Sequence, residues 1–531
     1  MKNRNLLFTT LIAFVLVLNM KAQSPPSIQW QKCFGGSSDD NAMVSVQQTS
    51  DGGYIMTGST FSNDGDISGN HGGVDCWVAK LDNAGSIQWK KCFGGSNGES
   101  PAAIHQTNDG GYVFAANVGS NDGDVSGNHG GGDCWIVKLD NTGSMDWQKC
   151  YGGSSTDVVR SIKQTIDGGY ILAGSTQSND GDVSGIHGIT NPLDYWVVKV
   201  DSSGTMQWQK CLGGSTMDEA WDIYPTNDGG YIMAGNSYSN DGDVSGNHGL
   251  GTGLNDYWIV KMDSSGSIQW QKCLGGTGND EANSIQQTTD GGYIIAGVTK
   301  SNDGDVSGFH NPGSGFYDLW VVKVDSLGTL QWQSCLGGSM NEVTFSIKQT
   351  NDGGYILSSY SLSNDGDVSG NHSLAYDYWI VKLNSSGTID WQKCLGGTGS
   401  DLATYINETN DGGFIVGGVT DSNNGDVSGN HGGLYDLWIV KLSGTTTNVE
   451  SEEKLFNSTI FPNPMKDNLS IKVDVSFIGK DYNIFDQNGK VVLTGKLSSE
   501  QIIIATNSLS NGLYTLSIDG QNNQAIKIIK E

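Results

Sequence analysis

Short runs rich in Val, Ile, Tyr, Trp and Thr recur along most of the chain, separated by clusters of Gly, Asp and Ser. This pattern predicts short strands joined by tight loops. In the unit that begins at Asp280 it predicts four strands, near residues 283–288, 292–299, 319–325 and 329–336. A long loop crosses S-N-D-G-D-V-S-G between the second and third. The unit contains no amphipathic helical pattern.

The runs are periodic. D-G-G begins at Asp51, Asp109, Asp167, Asp228, Asp290, Asp352 and Asp411, at intervals of 58 to 62 residues. A W-x-x-C segment recurs at Trp30, Trp89, Trp147, Trp208, Trp270, Trp332 and Trp391. A D-x-W segment recurs at Trp77, Trp135, Trp196, Trp258, Trp320, Trp379 and Trp438, which leaves only Trp221 outside the two series. Both series are expected to form core between blades rather than sugar-stacking platforms. Seven copies of one period decide the architecture before any local assignment. Four short antiparallel strands per copy predict an all-β chain, a seven-bladed β-propeller of four-stranded blades. The rival is a β-solenoid, whose coils are shorter and which needs end caps that do not flank these repeats.

The ends of the array agree with a ring. A fourth strand at residues 27–34 precedes the first D-G-G, and the series stops after a third strand at 437–442. The last blade therefore lacks a strand that residues 27–34 can supply, which would leave no open edge. This arrangement resembles the strand exchange of WD-repeat propellers. The blade sequence resembles the DGGYI-type propeller repeats of bacterial secreted proteins, a likeness that implies fold and says almost nothing of function.

Composition narrows the class. Glycine is 77 of 531 residues without a Gly-X-Y period, which fits many turns and excludes collagen. The net charge of −28 argues against nucleic-acid partners, whose phosphates need Lys and Arg. The start is basic at Lys2 and Arg4 and apolar from Leu6 to Leu18, which reads as a signal peptide cleaved after Ala22. Seven of the nine cysteines share one repeat position: Cys33, Cys92, Cys150, Cys211, Cys273, Cys335 and Cys394. Equivalent positions in different blades lie too far apart to bridge, so buried free thiols are expected; Cys76 and Cys134 are the only others.

Acids crowd one predicted rim. The loop between successive blades carries Asp40, Glu99, Asp157, Asp218, Asp280, Glu342 and Asp401. The loop between second and third strands carries Asp64 and Asp66, Asp122 and Asp124, Asp180 and Asp182, Asp241 and Asp243, Asp303 and Asp305, Asp365 and Asp367, and Asp426 after Asn424. Another acid precedes each third strand: Asp75, Asp133, Asp194, Asp256, Asp318, Asp377 and Asp436. Left unpaired, these charges would repel. D-G-D-V-S-G reproduces the opening of an EF-hand calcium loop, with Ser68 or Ser126 at the third ligand position and Asp75 or Asp133 at position 12 in the first two copies. Elsewhere the closing acid slips, so no full EF-hand is present. The loops also resemble the calcium loops of integrin-type propellers, an analogy only. Two readings stand: calcium as the one cofactor, or a loop held by Asx turns and glycine conformations. Each copy then carries a histidine, at 71, 129, 187, 248, 310, 372 and 431, for which a hydrogen-bonded loop role is favoured over metal ligation.

The tail has a different composition. I-F-P-N-P spans Phe461, Pro462, Asn463 and Pro464; N-G-K includes Gly489 and Lys490; N-G-L-Y includes Gly512 and Tyr514. Order and spacing closely resemble the type A C-terminal sorting domain of type IX secretion. The resemblance implies passage across the outer membrane, engagement of the secretion machinery, and removal of the tail with surface anchoring or release. The residues alone predict a small β-sandwich. The expected organisation is a signal peptide at 1–22, a propeller at 27–442, a linker at 443–457 and a sorting domain at 458–531.

The expected function is non-catalytic: a monomeric, surface-displayed or released adhesin or recognition scaffold for an extracellular protein or glycan. The alternatives are a propeller-type polysaccharide lyase or hydrolase and a structural surface-layer component. The blades are nearly uniform in polar residues. Their few departures, including His105, Arg160, Glu219 and Trp221, form no recognisable acid/base pair along the sequence.

Overall fold

The computed structural model describes residues 24–41, 43–188, 193–249, 253–310, 313, 315–444, 459–461, 465–473, 475–486, 490–518 and 526–530. The expected signal peptide lies outside them. Two compact units are present, divided after Thr446.

The larger unit holds seven four-stranded antiparallel sheets in a propeller-like arrangement, with no α-helix among the described residues. In the second sheet the strands are Glu99–Gln106, Tyr112–Val118, Asp133–Leu139 and Met145–Tyr151, paired in chain order. Each first strand touches the first strands of the neighbouring sheets, and that of the seventh touches that of the first. The seventh sheet is completed by Ile28–Phe34, which pairs antiparallel with Asp436–Leu442.

Every second and third strand is buried on both faces, which explains their continuous Val, Ile and Tyr content. All seven D-x-W tryptophans are at most 1 % exposed. The W-x-x-C tryptophan of each sheet leans on the aromatic ring after D-G-G in the next. Trp89 meets Tyr112 at 5.7 Å, and Trp30 of the completing strand meets Tyr54 at 5.5 Å. The core is thus a series of hydrophobic clusters, each shared by adjacent sheets. All nine cysteines are free thiols, and eight are buried. Burial pushes Cys92, Cys150, Cys211 and Cys394 up to about 12, so they pack as inert apolar groups.

D-G-G is a turn with a buried cation. Asp51 accepts from Thr49 Oγ1 and Gly53 N, and its carboxylate lies 2.9 Å from Lys80 Nζ. Gly52 takes φ +84°, and a Cβ at Gly53 would lie 2.3 Å from the Leu81 carbonyl. Lys80 is only 3 % exposed and also donates to the Leu81 carbonyl and Gln88. All seven sheets repeat the pair, from Lys138 with Asp109 to Lys441 with Asp411.

The first strands begin earlier than the sequence pattern predicts: Asp280–Gln287 rather than 283–288. The register shifts between Ala282 and Ser284, so Asn283 is a bulge residue. The bulge interrupts the alternation that marks a strand and hides its true start.

The smaller unit has one sheet of Thr459–Phe461, Asn468–Lys472 and Gln501–Ala505. Its second sheet is Val491–Lys496, Asp481–Phe485, Gly512–Ile518 and Ile526–Lys530. Leu469, Ile471, Ile484, Leu516 and Ile528 form its core. Tyr514 is buried and donates to the Ser510 carbonyl, and Lys490 N donates to Asp486. Of the other motif residues, Phe461 lies in the first of these strands, while Pro462, Asn463, Pro464 and Gly489 lie outside the described residues.

Candidate functional site

The rim acids do not stand free. Their roles recur with the period. In the first sheet Asp64 Oδ1 accepts from Ser37 N at 2.7 Å, tying the loop to the preceding turn. Asp66 faces the histidine of the neighbouring sheet, with His431 Nε2 at 3.5 Å. The equivalents run round the array: His71 to Asp124, His129 to Asp182, His187 to Asp243, His248 to Asp305, His310 to Asp367 and His372 to Asp426. Each histidine Nδ1 sits on the acid before its own third strand, as in the 2.6 Å pair of His71 and Asp75. The hydrogen bond that Asp133 accepts raises the His129 imidazole, and burial only partly opposes it.

The remaining acids are buried in pairs. A Cβ at Gly94 would lie 2.5 Å from Glu99 Oε2 and 2.7 Å from Asp75 Oδ1, so both carboxylates press on one glycine. Burial pushes Asp218, Asp280, Glu342 and Asp401 up to about 7, although each accepts hydrogen bonds from neighbouring hydroxyls and a glycine N–H. The Oδ1 atoms of Asp75, Asp133, Asp194, Asp256, Asp377 and Asp436 are buried without a hydrogen-bond partner.

The EF-hand comparison requires the loop residues to aim at one point. They have separate partners instead. Asp122 Oδ1 accepts from Ser96 N, Ser126 Oγ takes the Gln148 amide, and Asp133 Oδ2 takes His129. Asp241, Asp303 and Asp365 repeat the first contact with Ser215, Thr277 and Ser339. Among the described residues no three His, Cys, Asp or Glu side chains converge as a metal shell.

The departures from the repeat meet elsewhere. Bulges in six first strands put Ala102, Arg160, Trp221, Asn283, Phe345 and Thr404 into one central cavity of about 50 Å³, with Met43 and Val44 from the first sheet. Bulges re-aim side chains in this way. Arg160 lies over Trp221 at 4.3 Å, Trp221 contacts Phe345 at 6.1 Å, and the ring series continues to Tyr360 and Tyr376. These aromatics are partly exposed.

Deeper in the cavity, Asp222 bridges three sheets. It accepts from Ser161 Oγ at 2.7 Å and from Ile285 N at 3.1 Å, with Lys163 Nζ at 3.7 Å. Lys163 also donates to His105 Nε2. Burial, with Lys163 and Lys348 nearby, holds the His105 imidazole well below its usual value, so it is neutral. Burial brings the Lys348 ammonium down to about 8, with Asp222 opposing and Lys163 assisting. Lys348 stands 5.8 Å from the Tyr405 ring centre. The structure thus brings Arg160 and Trp221 together and ties His105 to the same cavity through Lys163, although all three are scattered along the chain. Lys163, Asp222, Lys348 and Tyr405 escaped sequence reasoning; aligning the units on D-G-G would have exposed them as positions where residue type keeps changing.

The smaller unit supplies the one family match. Residues 459–531 match the secretion system C-terminal sorting domain. The chain is exported through type IX secretion, to the cell surface or the medium, and its tail engages that machinery. No curated protein matches the chain. Among solved structures, a protein of unknown function from Dyadobacter fermentans is 12 % identical over 78 % of this chain and 98 % of its own, with a TM-score of 0.40. Sqt1 from Chaetomium thermophilum is 10 % identical over 80 % and 100 %, with a TM-score of 0.40. PorZ, a surface component of the type IX secretion system of Porphyromonas gingivalis, is 9 % identical over 92 % and 81 %, with a TM-score of 0.22.

Proposed function

We propose that the seven sheets form one closed, monomeric seven-bladed propeller that serves, after export, as a non-catalytic recognition scaffold with its ligand face at the central cavity. One observation carries this reading. The repeats keep the same residues wherever sheets touch, and they vary where the first strands face the cavity. Side chains that differ from copy to copy and meet in one concave place, with partly exposed Trp221 and Phe345 in it and Tyr360 and Tyr376 next in the ring series, are what a binding face requires. Closure is supported by links that treat the last junction like the others: Asn410 N donates to Gln48 Oε1 as Ser50 N does to Gln106 Oε1.

The test is a glycan and protein binding screen of the secreted chain, repeated with Trp221→Ala and Phe345→Ala. Ligands found with the native chain should be lost in both variants, while melting curves stay similar. Retention of every ligand by both variants refutes the cavity as the face. The rival enzyme reading draws on the meeting of His105, Lys163 and Asp222; release of reducing ends from a polysaccharide, abolished by His105→Gln, would favour it.

A further inference from the structure

The cavity reverses the sign of the molecule. The chain carries a net charge of −28, yet Arg160, Lys163 and Lys348 face this space against Asp222, with Glu219 near Arg160. Asp222 is already committed to Ser161, Ser284, the Ile285 N–H and Lys163. His105 is neutral and spends Nε2 on Lys163. Lys348 therefore has no salt bridge and no hydrogen bond among the described residues: Asp222 acts on it only at longer range, and its nearest named neighbour is the Tyr405 ring. A half-buried ammonium without a partner is costly, and native chains rarely keep one idle.

Two further donors lie beside it. Ser346 is 2 % exposed, lines the same cavity two residues before Lys348, and its Oγ has no hydrogen-bond partner. Tyr405 accepts from Asn407 Nδ2, which leaves its own O–H free to donate. An orphaned buried hydroxyl, a phenol and an unpaired ammonium share one shape of demand: an acceptor with negative charge. The space of about 50 Å³ holds several water-sized groups, enough for a small oxyanion.

We propose that the central cavity is an oxyanion site, in which a carboxylate or phosphate group binds Lys348, Ser346 and Tyr405. The group is a free inorganic anion or the acid of a larger ligand lying on Trp221 and Phe345. This rests on the cavity being the ligand face and names the chemistry of what enters it.

The experiment is calorimetric titration of the secreted chain with inorganic phosphate and, separately, with glucuronate. One saturable site per chain is expected. Lys348→Met should weaken it by at least about tenfold, and Ser346→Ala by a few-fold. Lys348→Arg should retain most of the affinity. Lys348→Met should also melt no lower than the native chain, because it removes an unpaired charge. Tighter phosphate points to a free anion, and tighter glucuronate to a ligand-borne acid; both support the site. The proposal falls if neither anion binds saturably up to about 20 mM, well above a millimolar Kd. It also falls if Lys348→Met binds like the native chain. Either failure leaves the recognition reading to be judged by the Trp221 and Phe345 variants alone.

Discussion

His431 Nε2 lies 3.5 Å from Asp66 Oδ2, joining the last sheet to the first with the same contact that joins every other pair of neighbours. Both side chains are about one-third exposed, so the pair itself is worth less than about 1 kcal/mol. The junction depends far more on the strand Ile28–Phe34. Deleting residues 27–36 should expose the Asp436–Leu442 edge and cause aggregation, read by light scattering. His431→Ala should leave the chain monomeric. A monomeric deletion with an unchanged melting curve would show that the edge needs no cover.

Stability should depend on pH in two opposite ways. Asp218, Asp280, Glu342 and Asp401 titrate at about 7 when folded and at about 4 when unfolded. A carboxyl raised by folding stabilises below its unfolded value, and that contribution is lost as pH rises through about 7. The raised histidines 71, 129, 187 and 248 act in the same direction, losing their contribution above about 6.5. Asp51, Asp109, Asp167, Asp228 and Asp290 are held at about 2 by hydrogen bonds that outweigh burial. Their contribution is present above about 4 and lost as pH falls toward 2. The melting temperature should therefore peak near pH 4 to 5, and Asp218→Asn with Asp401→Asn should flatten its neutral limb. A melting temperature rising steadily from pH 5 to 8 contradicts this.

The lysine of each third strand should be structural. Lys199→Met would take the ammonium from Asp167, Gln207 and the Val200 carbonyl, leaving Asp167 only its bonds from Thr165 Oγ1 and Gly169 N. Denaturant unfolding should show a loss of about 1–3 kcal/mol. Lys300→Met, at a partly exposed position where the ammonium lies 4.0 Å from the Tyr317 ring centre, should cost no more than about 1 kcal/mol.

Calcium would have to take Asp122, Ser126 and Asp133 from Ser96, Gln148 and His129. The expected result is an unchanged melting temperature after chelation. Stabilisation over about 0.1–1 mM calcium, the range of extracellular modules, would give the loops back to the metal.

Much of this was legible in the residues. The seven-fold period, the four strands and the displaced strand before Asp51 are patterns a chain must carry to bury sheet against sheet. The spent rim charges were not legible, because Asp66 and His431 are neighbours only after the ends meet. Lys80 was overlooked because a buried ammonium looks like an exposed one until its partner Asp51, in another strand connection, is placed beside it. The central cavity was hidden because each sheet contributes only two or three residues to it, and the telling ones, Arg160, Asp222 and Lys348, each look like a stray substitution in their own copy.

The bulge at Arg160, Trp221, Asn283 and Phe345 separates two kinds of inheritance. A residue pushed out of the ladder makes no cross-strand pair, so it is freer to change than its paired neighbours, even where, as with Asn283 and the Thr344 carbonyl, it reaches the next sheet. Duplication of one unit would then create a ring of identical, dispensable positions around an axis, and later substitution could write a different message at each. The scaffold could be copied while its specificity was rewritten, one letter per blade.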